Sequence, residues 1–167
     1  MSVIYKSKRI GQYGKEFTLY KFRTMVEGAD RLGGSSTADN DPRITRTGYM
    51  LRKTHLDEIP QIINVIKGNM AFIGWRPEAP EYLDTIPKQV LATKPGIIGL
   101  ATLWDHDEGK FLLSLGAIDP DRAYREHILP KKRELELYYA QHRSWRLNLW
   151  IILKTTQVLL GKFVGRF

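Results

Sequence analysis

The stretch THLDEIPQIINVIKGNM, Thr54 to Met70, decides how this chain is read. Ile59, Ile62, Ile63 and Ile66 recur at helical spacing on one face, and Gly68 is the kind of residue at which a helix stops. The spacing predicts a helix from near Leu56 to Gly68, preceded by a shorter one over Gly48–Lys53. Pro60 is compatible with a first helical turn, where the N–H it lacks has no partner anyway. The helix opens on two adjacent carboxylates, Asp57 and Glu58. There they meet the positive end of the helix dipole and unpaired backbone N–H groups, and Thr54 completes a box-like capping pattern.

Capping alone accounts for an Asp-Glu pair at a helix start. Arg52 and Lys53 before the pair, and Arg76 after it, add a second reading. Cations that depress the pKa of carboxylates can equally converge on a phosphate, with a divalent metal mediating between like charges. An ionised aspartate beside a bound pyrophosphate can then attack phosphorus. The spacing permits both readings.

Upstream, VIYKSKR and EFTLYKFR are rich in β-branched and aromatic residues, and IGQYGK between them supplies turn glycines, so a β-hairpin is predicted. Residues 24–47, with RLGGSSTADNDPRITRTG, read as a long polar surface loop. Downstream, MAFIGWRPEAP reads as a short extended piece entering a proline-punctuated turn, and a helix around Pro87–Ala92 leads to a Lys-Pro-Gly turn. DHDEGK, Asp105 to Lys110, reads as a polar loop. From about Asp121 the chain reads as one helix interrupted at Pro130 and another from Leu147 to Phe163. No repeat or linker divides it. The fold class is α+β, an N-terminal β-hairpin followed by a mainly helical single domain.

The 167 residues suffice for one core. Cysteine is absent, which excludes disulfides and thiolate metal sites. A net charge of +8 and a pI near 9.7 favour polyanionic partners: nucleic acid, anionic lipid or phosphorylated small molecules. The cations are spread through Lys6–Arg9, Lys21–Arg23, Arg43–Lys53, Lys131–Arg133 and Arg143–Arg146, which suggests several walls of one surface. No helix-turn-helix, RNP or zinc-finger signature accompanies the charge, so no nucleic-acid partner is expected. The four histidines lack ligand spacing, and Asp105, Asp107 and Glu108 lack the pattern of a calcium loop. Met1 leads into SVIYKSKRI without the apolar run of a signal peptide, and no run of 18 apolar residues occurs. SWRLNLWIILKTTQVLLGKFVGRF combines Trp145 and Trp150 with Arg143, Arg146, Lys154, Lys162 and Arg166. That composition suits an amphipathic helix lying in anionic headgroups, and periodicity alone fits a helix packed on the core as well.

Four segments in order, FTLYKFRTM, LRKTHLDEIPQIINVIKGNMAFIGWRPE, KPGIIGLA and LELYYAQHRSWRLNLWIILKT, closely resemble the bacterial sugar transferase family, the monotopic phosphoglycosyl transferases. The resemblance runs from about Val3 to Leu160. It implies transfer of sugar-1-phosphate from a nucleotide sugar, usually a UDP-sugar, to polyprenol phosphate, with release of UMP, as the first step of glycan assembly. It implies that Asp57 is the nucleophile of a covalent phosphosugar intermediate and that Glu58 assists through the proton or through Mg²⁺ (or Mn²⁺), with both carboxylates as candidate metal ligands. Lys21 and Arg23 match the family's basic strand end, Arg52 the arginine before its acidic pair, and Arg76 and Pro77 its Gly-Pro-Arg-Pro turn; the four cations are the expected phosphate-binding residues. Pro95 and Gly96 of KPGIIGLA match the segment that forms the substrate cleft with Pro77. The implied setting is peripheral or monotopic, on an anionic membrane surface at the cytoplasmic face, and a homo-oligomer is compatible with it.

Residues 1–167 are read as a single sugar transferase catalytic domain that starts where the family's N-terminal re-entrant membrane segment would end. Asn69 and Trp75 depart from the family's Gly-Asp-Met and Gly-Pro-Arg-Pro patterns, and Trp104 to Tyr124 from its shorter turn. These departures motivate a rival expectation, a catalytically weak relative that binds nucleotide sugar or lipid phosphate in a regulatory role.

Overall fold

The structure is a computed structural model, and it describes residues 2–29, 32, 41–104 and 120–164. Strands β1 (Ile4–Ile10) and β2 (Glu16–Phe22) pair antiparallel, with Ile4 opposite Phe22 and Ile10 opposite Glu16. The hairpin bends through Tyr13 and Gly14, both at positive φ, and closes with Gly11 N donating to Lys15 O. The predicted hairpin thus holds. In the polar stretch after it Met25 bridges to Ile44, and helix α1 (Arg46–Lys53) begins two residues ahead of Gly48. Thr45 caps α1 by accepting from Gly48 N. Gly48 packs directly on the Thr24 backbone, and a Cβ there would lie 1.9 Å from Thr24 O.

The decisive stretch departs from expectation in three ways. Leu56–Gln61 is a 3-10 turn, and only Ile62–Ile66 is α-helix (α2). Thr54 does not cap it; its hydroxyl donates back to Met50 O and Leu51 O at the end of α1, and His55 at φ 56° turns the chain instead. The polarity is also inverted. Asp57, Glu58, Gln61 and Asn64 are buried, while Leu56, Ile59, Ile62, Ile63 and Ile66 are exposed.

Beyond it, β3 (Ala71–Ile73) pairs parallel with β4 (Gly96–Ile98). A 3-10 turn (Pro80–Thr85) and helix α3 (Lys88–Leu91) connect them, and α4 (Leu100–Trp104) follows β4. The predicted loop Asp105–Lys110 and most of the divergent Trp104–Tyr124 stretch lie outside the described residues. Helix α5 (Pro120–Ala123) runs through a π-helical turn (Tyr124–Ile128) into α6 (Leu129–His142), so Pro130 stands in the first turn of α6 and the irregularity precedes it. Helix α7 (Trp145–Val164) starts two residues earlier than expected. The architecture is the expected α+β, an antiparallel hairpin followed by a mostly helical region that adds a small parallel sheet.

Three apolar clusters hold the site's supports. Phe17, Leu19 and Met70 join the hairpin to the end of the acidic segment. Ile10, Trp75, Ile86 and Val90 form a second cluster, so Trp75 is a core residue, with its indole N–H on Thr93 O. Tyr82, Ala123, Tyr124, Ile128 and Leu129 form the third with Ala79. Helix α7 buries Ile151 and exposes Trp145, Leu149, Trp150, Leu153 and Leu160. Among the described residues no helix is long and apolar enough to cross a membrane.

Candidate active site

One carboxylate oxygen joins three parts of the chain. Glu58 Oε1 accepts from Lys21 Nζ at 2.8 Å, near the end of β2, and from Arg76 Nη2 at 3.0 Å, after β3. Glu58 is 9% exposed. Burial pushes its carboxyl up, but the charges of Lys21 and Arg76 and the Lys21 hydrogen bond outweigh that and hold it well below the usual carboxylate range.

Asp57 lives in a different environment one residue away. It is 7% exposed, and among the described residues its carboxylate takes no hydrogen bond. Burial pushes its pKa up; Lys21, Arg76 and Arg52 pull it down, the charge of Glu58 adds to the rise, and the net result is a rise. This corrects the expectation that a helix start and nearby arginines keep Asp57 low. The 3-10 turn supplies no long dipole, and Glu58 takes the direct contacts of Lys21 and Arg76.

Arg52 reaches this region from α1, with Nε donating to Thr24 Oγ1 at 2.9 Å. The close approach at Gly48 lays α1 on Thr24 and makes that bond possible. Arg23 is placed differently. Its Nε donates to Ser2 O at 2.9 Å and its guanidinium lies 5.7 Å from the Tyr5 ring centre, so these contacts lie with the start of β1 rather than with the acidic pair. Pro77, Pro95 and Gly96 are buried, and Gly96 N donates to Trp75 O at 2.8 Å. That clamp fixes the residues leading to Arg76 against the β4 segment.

Sequence reasoning missed a buried charged cluster behind Arg76. Tyr124 OH donates to Glu78 Oε1 at 2.7 Å and accepts from Lys132 Nζ at 2.8 Å, and Arg133 pairs with Glu136. Glu136 Oε1 in turn accepts from Arg76 N at 3.3 Å. Burial raises the Glu136 carboxyl, whereas for Glu78 the charges of Lys132 and Arg133 outweigh burial and lower it. Lys132 and Arg133 were expected on a basic surface; both are buried and paired. The available signal was the i, i+3 spacing of Arg133 and Glu136 on α6.

The donor set suits a metal only in company. Among the described residues no group of three or more His, Asp or Glu converges. With Glu58 engaged by two cations, Asp57 is the carboxylate left to meet Mg²⁺, which is commonly held by one or two carboxylates plus substrate phosphate oxygens.

A buried, unengaged carboxylate facing cations that can bear phosphoryl charge suits an enzyme of phosphoryl transfer. Comparison with known proteins makes the class specific: the chain belongs to the bacterial sugar transferase family, whose family model matches residues 1–162. It is 31% identical over 98% of its length to the UDP-N-acetylgalactosamine-undecaprenyl-phosphate N-acetylgalactosaminephosphotransferase of Aeromonas hydrophila, covering 37% of that protein. It is 34% identical over 95% of its length to the uncharacterized sugar transferase EpsL of Bacillus subtilis, covering 70% of it. It is 40% identical over 58% of its length to the undecaprenyl-phosphate galactose phosphotransferase of Salmonella typhimurium, covering 24% of it. The chain thus spans less than two fifths of two of these relatives and most of the other.

Proposed function

We propose that this chain, acting as one catalytic domain, transfers sugar-1-phosphate from a UDP-sugar to polyprenol phosphate and so begins the assembly of a glycan. The carrying observation is the inverted segment: Asp57 and Glu58 face inward among cations while Leu56, Ile59, Ile62, Ile63 and Ile66 face outward. A run of exposed isoleucines beside a phosphate-handling site fits an enzyme whose acceptor is a lipid phosphate at an anionic membrane surface. Trp145, Trp150 and Leu153 on α7 add apolar surface of the same kind. Nucleotide sugars place the reaction on the cytoplasmic face.

In the first step an Asp57 carboxylate oxygen attacks the phosphorus that bears the sugar. The bond from that phosphorus to the bridging oxygen breaks, and UMP leaves with the electron pair. The product is a phosphosugar joined to Asp57 as an acyl phosphate. A polyprenol phosphate oxygen then attacks the same phosphorus, which releases the Asp57 carboxylate and gives polyprenyl-diphosphate-sugar, so ping-pong kinetics follow. The unengaged, burial-raised carboxylate of Asp57 supports its role as nucleophile.

Glu58, held anionic by Lys21 and Arg76, is better suited to fixing those cations than to giving a proton. Lys21, Arg76 and Arg52 bear the charge of the pyrophosphate. Asp57, with the substrate's phosphate oxygens, would hold Mg²⁺, which supplies Lewis-acid neutralisation of that charge. A screen for UMP release over a panel of UDP-sugars, with Mg²⁺ and detergent-solubilised polyprenol phosphate, tests the proposal. Release with at least one donor, dependent on acceptor over many turnovers, is expected; none with any donor would favour a binding role instead.

A further inference from the structure

Asn64 is 0% exposed, in the middle of a helix whose neighbours Ile62, Ile63 and Ile66 are exposed. A wholly buried amide among outward isoleucines needs a reason, since burial without partners is costly. Its partners are backbone groups of β2. Asn64 Nδ2 donates to Thr18 O at 2.7 Å, and Asn64 Oδ1 accepts from Tyr20 N at 3.2 Å. In an antiparallel pair alternate residues turn their N–H and C=O away from the partner strand. Since β1 occupies one edge of β2, the Asn64 amide fills the other edge as a one-residue stand-in for a third strand. Its own carbonyl accepts from Asn69 N at 2.9 Å and Met70 N at 3.2 Å, closing the turn through Gly68 onto the same residue.

This bridge joins the two elements that carry the Lys21–Glu58 ion pair. Lys21 follows Tyr20 directly on β2, and Glu58 lies on the 3-10 turn that runs without a break into the helix bearing Asn64. Phe17, Leu19 and Met70 pack beneath, but apolar contact does not fix the register of a strand edge to within a hydrogen bond. We propose that Asn64 is a positioning residue: its amide sets where the β2 edge stands against the acidic turn, and thereby holds Lys21 on Glu58 and keeps Asp57 free of a direct cation contact. Without it, Lys21 leaves Glu58 for solvent, and the arrangement of charge around Asp57 is lost.

The test has one arm independent of the transferase reading and one that rests on it. In the first, the wild type and Asn64→Ala are acylated at lysine under limiting reagent and each site is quantified by mass spectrometry, with Lys53 and Lys88 as internal standards. The expected result is an increase of about fivefold at Lys21 alone, the size of losing one hydrogen bond's worth of protection. In the second, transfer kinetics are measured in the wild-type and Lys21→Met backgrounds. Asn64→Ala should lower kcat by about tenfold or more with little change in KM in the first background, and by less than about threefold in the second. Where Asn64→Ala does not fold, the isosteric Asn64→Asp carries both readouts, because a carboxylate still accepts from Tyr20 N but cannot donate to Thr18 O. Unchanged Lys21 labelling in a folded variant overturns the proposal, as does an equal kinetic penalty in both backgrounds. Wild-type protein inactive with every donor overturns the transferase reading and leaves the labelling result to decide the role of Asn64.

Discussion

Replacing Glu58 by Gln isolates the ion-pair junction beneath Asp57. The variant keeps an oxygen at Oε1 for Lys21 and Arg76 but removes the charge that both cations neutralise. Breaking a fully buried pair costs about 3–5 kcal/mol. Here the Lys21 and Arg76 side chains are 21% and 33% exposed, so both can turn towards water and the penalty shrinks. A loss of about 1–3 kcal/mol remains, in line with charge-assisted hydrogen bonds to a buried acceptor. For a chain of this size that is roughly 5 °C in Tm. The penalty should carry a pH signature. Glu58 has a depressed folded-state pKa, so its contribution is present above the unfolded value of 4.5 and is lost as pH falls towards the folded one. Urea denaturation of both proteins at pH 7 and at stepwise lower pH should show a gap that narrows below about 4.5. A Glu58→Gln protein as stable as wild type at pH 7, or a gap constant down to pH 3, would refute the assignment of Glu58 as the electrostatic anchor.

Three further outcomes follow from the same geometry. Because Asp57 is raised by burial, the acid limb of kcat/KM should lie above the ordinary aspartate value of 3.8, activity falling as pH drops through it; a limb at or below that value contradicts Asp57 as the ionised nucleophile. Ile59→Ser with Ile62→Ser and Ile66→Ser should leave the unfolding free energy in urea within about 1.5 kcal/mol of wild type, since these side chains are exposed, yet weaken flotation with vesicles rich in anionic lipid; unchanged flotation dismisses this face as the membrane contact. Gly48→Ala should cost about 3 kcal/mol, because its Cβ meets Thr24 O at 1.9 Å, and a scan of Tm together with kcat should show both falling as α1 lifts Arg52 from Thr24; an undisturbed Tm rejects the close approach.

The hairpin was legible because richness in β-branched and aromatic residues and a glycine turn are local signals; its register, from Ile4–Phe22 to Ile10–Glu16, came only with the structure. The association of Asp57 and Glu58 with Lys21, Arg52 and Arg76 was legible through ordered motifs, and Lys21 and Arg76 do meet Glu58. What periodicity could not supply was direction. The spacing of Ile59, Ile62, Ile63 and Ile66 shows that they share a face, and only the fold shows that this face points outward. The same ignorance of direction made Lys132 and Arg133 look like surface charge, although Glu78 and Glu136 neutralise them in the interior. Asn64 was invisible for a related reason: its partners are backbone atoms of a strand 44 and 46 residues away, and no side-chain pattern records them. The 3-10 geometry of Leu56–Gln61 reflects Pro60 inside the segment and His55 at positive φ, a combination that propensity does not separate from an α-helical first turn.

The central claim is that Asp57 carries the phosphosugar. The protein is incubated with each UDP-sugar and Mg²⁺ in the absence of acceptor, quenched, and digested, and the peptide Thr54–Lys67 is weighed. That peptide should gain the mass of one sugar phosphate with at least one donor, lose it on adding polyprenol phosphate, and never gain it in Asp57→Asn. Sustained acceptor-dependent UMP release with no adduct on this peptide, and undiminished in Asp57→Asn, would contradict it.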